Sequence, residues 1–75
     1  MTTITRQAAD QRGNIRTIFV FRDPSTRTYV GVLRAGRWTR MMNGSQAQPV
    51  RATGEGDTVD IAVQRTVQNW NRGQS

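Results

Sequence analysis

Cysteine, histidine and lysine are all missing from this chain. Without cysteine there is no disulfide and no thiol nucleophile, and without histidine as well the common zinc sites are excluded. Without lysine there is no amine for a Schiff base or a general base. No apolar run approaches the roughly 20 residues needed to span a bilayer. The first residues lack the apolar centre of a secretory signal, and the absence of cysteine suits a cytoplasmic protein. Carboxylates are few: Asp10, Asp23, Glu55, Asp57 and Asp60. Asp23 falls in a turn pattern, Asp57 and Asp60 at a helix start, and Glu55 between two glycines. No G-x-S-x-G, P-loop or dinucleotide fingerprint occurs. The expectation is a protein that is not an enzyme and uses no cofactor or metal.

What is present in excess is arginine. All eleven basic residues are Arg, against five acids, for a net charge of +6. A GC-rich genome would account for arginine in place of lysine but not for the surplus charge, which favours a polyanionic or acidic partner. Arginine's planar fork suits phosphate and carboxylate alike. Seventy-five residues support one domain, residues 1–75, with a core small enough that a second copy or a partner would help it.

The chain divides into a polar arm or edge strand (1–13), a β-meander (14–53) and a helix (57–72). Residues 15–22 and 27–34 are rich in β-branched and aromatic side chains and read as strands. Asp23-Pro24-Ser25-Thr26 reads as the turn between them. Ala35-Gly36 leads to a third strand at 37–42, Asn43-Gly44 is a turn dipeptide, and 46–53 is a weak edge strand because it contains Pro49. Gly54-Glu55-Gly56 breaks the pattern. Asp57 is the expected N-cap of a helix over roughly 58–71, with Val59, Val63, Thr66, Val67 and Trp70 on one stripe and Gly73 as the C-terminal cap. The predicted fold class is α+β, an antiparallel sheet of three to five strands packed on one face by a single C-terminal amphipathic helix.

Pairing Phe21 with Thr28 and Leu33 with Trp38 sorts the side chains into two faces. One holds Ile15, Thr17, Phe19, Phe21, Thr28, Val30, Val32, Thr39 and Met41, and is the expected helix seat. The other holds Arg16, Ile18, Val20, Arg22, Arg27, Tyr29, Leu33, Trp38, Arg40 and Met42. Gly31 sits in mid-strand, where it leaves room for close backbone approach. Arginine interleaved with aromatic rings is the composition of interface hot spots and of nucleic-acid platforms. The predicted partner-binding residues are therefore Arg16, Arg22, Arg27, Tyr29, Arg34, Arg37, Trp38 and Arg40. The alternative is that Tyr29 and Trp38 are core, covered by residues 1–13.

Three classes of function follow. In format the chain is similar to the sheet-reading DNA-binding domains of plant AP2 proteins and phage integrase arms, which implies direct nucleic-acid binding and a regulatory role. In size, element order, lack of catalytic groups and apparent completeness from Met1 to Ser75, it also resembles the small phage-encoded anti-CRISPR proteins. That resemblance implies a cytoplasmic inhibitor, acting in the host cell, whose arginine face grips a CRISPR effector and blocks target DNA. A homodimer joined through the leftover face is the third class, disfavoured because its arginines would repel one another.

Overall fold

A computed structural model describes residues 2–74; Met1 and Ser75, the outermost residues of the expected domain, lie outside the described residues. The elements are β1 (Ile4–Ala9), β2 (Ile15–Asp23), β3 (Thr28–Arg34), β4 (Thr39–Arg40), β5 (Gln46–Ala47), β6 (Val50–Gly56) and α1 (Val59–Gln74). The main sheet is antiparallel in the order β1-β2-β3-β6, and β4 and β5 form a separate small hairpin. One helix packs on one face of the sheet, the α+β arrangement expected from the sequence.

Alternation along each strand defines the helix-covered face: Ile18 and Val20 from β2, Tyr29, Gly31 and Leu33 from β3, and Ala52, Gly54 and Gly56 from β6. Against these α1 sets Val59, Ala62, Val63, Thr66, Val67 and Trp70, the anticipated stripe with Ala62 added. The face is the reverse of the one expected to seat the helix. Glycine is the reason. A Cβ on Gly31 would collide with the Thr66 hydroxyl, and one on Gly54 would lie 2.7 Å from the Arg65 carbonyl carbon. One on Gly56 would lie 2.7 Å from the Ile61 Cβ. The helix axis can therefore approach the β3–β6 half of the sheet more closely than side chains would permit. Thr66, fully buried above Gly31, donates its hydroxyl to the Ala62 carbonyl at 2.7 Å and so needs no other partner.

Several local expectations change with the sheet. Phe21 pairs with Val30 and Asp23 with Thr28, two residues away from the anticipated register. The turn spans 24–27; Arg27 adopts φ 59°, and its N–H reaches the Asp23 carbonyl at 2.8 Å. A slip of two leaves every side chain on its original face. Residues 37–42 do not form a third sheet strand. Only Thr39 and Arg40 are extended, paired with Ala47 and Gln46, so Leu33 lies opposite Ala52 and not Trp38. The expected break at Gly54-Glu55-Gly56 is the end of β6, where glycines serve helix packing within the strand. The helix N-cap is Thr58, not Asp57, since Thr58 Oγ1 accepts the Ile61 N–H at 3.2 Å. At the other end, Gly73 lies inside α1 and does not cap it.

The two edges of the sheet are treated differently. On β6, the outward Thr53 and Glu55 carbonyls accept bonds from Asn69 Nδ2 (2.6 Å) and Arg65 Nη1 (2.8 Å), so helix side chains satisfy that edge. The β1 edge is lined by the exposed polar residues Thr5, Arg6 and Gln7.

Candidate functional site

The face of the sheet away from the helix carries Phe19 and Phe21 together with Ile15, Val30 and Val32. Cross-strand rows run Thr5–Phe19–Val32–Thr53 and Phe21–Val30–Glu55, with Ile15 beyond them opposite Ala9. Phe19 is 40% exposed and Ile15 64%. At the β1–β2 turn end of this face, the β4–β5 hairpin borders a cleft of about 600 Å³. Ile15, Thr17 and Phe19 contribute from the sheet, Trp38, Gln46, Ala47 and Gln48 from the hairpin segment, and Arg34, Ala35 and Gly36 from the connection. Trp38, off the core, is 59% exposed.

Hydrogen bonds fix the base of the hairpin. Arg34 Nη1 donates to the Gln48 carbonyl at 2.7 Å, Gln48 Nε2 to the Gly36 carbonyl at 3.1 Å, and Arg51 Nε to the Ala35 carbonyl at 3.3 Å. Gly36 has φ 105°, a left-handed conformation that a side chain would strain. The Met41–Ser45 tip is closed by the Met41 N–H to the Ser45 carbonyl at 2.7 Å.

The meander separates charge lengthwise. One pole comprises the β1–β2 turn, the end of β3, the hairpin, the start of β6 and the last turn of α1. Arg12, Arg16, Arg34, Arg37, Arg40, Arg51 and Arg72 lie there with a single acid, Asp10, so this pole holds a surplus equal to the +6 of the whole chain. At the opposite pole, Arg22 and Arg27 stand among Asp23, Glu55, Asp57 and Asp60; Arg6 and Arg65 lie between. The pole with the cleft, the hairpin pole, is the strongly positive one.

The expected partner-binding residues are consequently divided. Arg34, Arg37, Trp38 and Arg40 come together at the hairpin pole, while Arg22 and Arg27 lie at the other end. Tyr29 is half-buried on the helix-covered face and packs against the core. Arg16 is a structural residue: its Nε meets Asp10 Oδ2 at 3.1 Å, and its guanidinium lies 5.0 Å from the centroid of the Trp70 ring. Asp10 also accepts the Arg12 and Asn14 N–H groups at 2.9 Å each and the Trp70 indole N–H at 3.3 Å. Burial pushes its carboxyl upward, but the Arg16 guanidinium, the two backbone N–H groups and the indole outweigh that and hold it below the ordinary aspartate value. Gln11 extends the clasp, its N–H donating to Asn71 Oδ1 at 3.0 Å.

Ile15 and Phe19, expected beneath the helix, line the cleft instead, and Gln46, Gln48 and Arg51 belong to the site or its base without having been predicted as partner-binding. The signal that points to them is indirect: glycines at 54 and 56, opposite Gly31 and Tyr29, mark the covered face and leave Phe19 on the open one. Among the described residues, no group of three or more potential metal-ligating side chains forms, and no helix is long and apolar enough to cross a membrane. No family model matches the chain, and neither the curated proteins nor the solved structures contain a significant match.

Proposed function

We propose that this chain is a non-catalytic nucleic-acid-binding protein of the cytoplasm that engages phosphates through the hairpin pole. The observation that carries the reading is the gathering of the chain's whole surplus charge at the end that also exposes Trp38 and Phe19. Arginines on a loop-and-strand platform supply phosphate contacts, and neighbouring aromatic rings supply stacking. An inhibitor of a CRISPR surveillance complex would turn the same pole towards a nucleoprotein. Such a target also displays phosphates, so free nucleic acid is the first ligand to test.

Anisotropy titrations with DNA and RNA at low and physiological salt provide that test. Affinity should fall steeply with salt, because phosphate contacts release counterions. Reversing charge at the hairpin pole, Arg37→Glu with Arg40→Glu, should weaken binding by about ten-fold or more, through losing and opposing two phosphate contacts. The matching pair at the other pole, Arg22→Glu with Arg27→Glu, should change it by less than about three-fold, a through-space effect largely screened by salt. Equal losses from the two pairs, or no salt-sensitive binding at all, would overturn the proposal.

A further inference from the structure

The cleft between the open sheet face and the hairpin has a composition that phosphate binding alone does not require. Its floor is apolar, from Ile15 and Phe19, and its hairpin side carries an exposed indole, Trp38. Gln46 and Thr17 add groups able to donate and accept hydrogen bonds. The charged residues at its border are arginines, Arg34 and Arg16, the latter with its guanidinium turned away to Asp10 and Trp70, and no carboxylate is among them. Its volume of about 600 Å³ falls within the roughly 300–1,000 Å³ typical of small-ligand clefts. We infer that this cleft receives an unpaired nucleobase against Trp38, so that the hairpin pole selects single strands over duplex; the inference rests on the nucleic-acid reading of that pole.

Three physical arguments support a base as the occupant. A base offers a flat, largely apolar face to an aromatic ring and polar edges to an amide or hydroxyl, which matches the mixed lining. Its phosphates would lie beside Arg34 at the cleft and Arg37 and Arg40 on the hairpin segment, where negative charge is stabilised. A second copy of the chain would bring the same arginines against these, so charge opposes self-docking at this position. A base paired within a duplex is stacked on both faces and cannot enter without flipping out, and that cost favours the single strand.

The test compares three fluorescein-labelled probes of equal length: oligothymidylate, a strand of abasic residues, and a duplex. The abasic strand keeps the phosphates and removes the bases. Oligothymidylate should bind about ten-fold tighter than either of the others, the effect expected for stacking of one base, and should quench tryptophan emission. Trp38→Ala should bring oligothymidylate down to the affinity of the abasic strand, whereas Trp38→Phe should keep most of the preference. Phe19→Ala, a change on the sheet side of the cleft, should reduce it as well. Trp70 remains in the Trp38→Ala protein, and its buried emission reports that the variant is folded. Equal binding of all three probes would overturn the base-binding inference while leaving the phosphate proposal standing. A thymidylate preference that survives in Trp38→Ala would overturn the assignment to this cleft, and binding to none of the probes would overturn both.

Discussion

The two faces of the sheet contrast in size of side chain. Where the helix comes closest, along β6 and the middle of β3, the covered face offers Gly31, Ala52, Gly54 and Gly56 to α1, with Ile18, Val20, Tyr29 and Leu33 around them. The open face carries Phe19, Phe21, Val30 and Val32. Apolar bulk therefore does not mark the face that a helix chooses. A helix already brings its own side chains to the contact, and close packing is reached when the sheet recedes to meet them. Phe19 and Ile15 remain exposed on the open face, next to the basic hairpin pole.

The strongest way to break that contrast is to fill the receding face. Gly54→Val would place a branched side chain against the Arg65 and Thr66 backbone. It should cost about 4 kcal/mol or more, because overpacking here must move helix backbone and not a flexible tip. Urea denaturation would measure it, and near-native stability would mean that the helix does not sit where the glycines place it. A second comparison matches one large residue on each face. Leu33→Ala, at a fully buried position, should cost about 2–4 kcal/mol. Phe19→Ala removes a larger ring yet should cost only about 1 kcal/mol, since the ring is already part-exposed. Equal costs for the two would erase the distinction between the faces.

The smallest effect concerns the polar border of the covered face. The Asp10 carboxyl is held below its ordinary value of 3.8, so its contribution is present above that value and lost as pH falls through the folded one. Asp10→Asn should lower the melting temperature at neutral pH by disrupting the clasp to Arg16 and Trp70. The gap between native and variant should narrow as pH falls below 3.8 and on through the lower folded value, where the native carboxyl takes up its proton. A gap that stays constant with pH would show that the carboxylate's charge does not stabilise the fold.

Much of the fold was legible because it depends on local pattern. Alternating β-branched residues define β2 and β3, and Val59, Val63, Thr66, Val67 and Trp70 mark the buried stripe of α1. Even the two-residue error in register kept each side chain on its face. The candidate site was legible only in part: Arg34, Arg37, Trp38 and Arg40 meet at one pole, but Arg16 is drawn away by Asp10 and Trp70, and Arg22 and Arg27 lie at the far end. Asp10 and Trp70 are sixty residues apart, so no local pattern could expose their bond.

By itself, the sequence determined β2, β3 and α1, the covered stripe of the helix, the surplus of arginine and the lack of cysteine and histidine chemistry, since each follows from composition or short-range periodicity. The tertiary structure decided which face of the sheet the helix takes, that β6 and not residues 37–42 pairs with β3, and that the surplus charge gathers beside an aromatic cleft. Those outcomes depend on steric clearance between backbones far apart in the chain, here set by Gly31, Gly54 and Gly56, and clearance exists only once the elements meet.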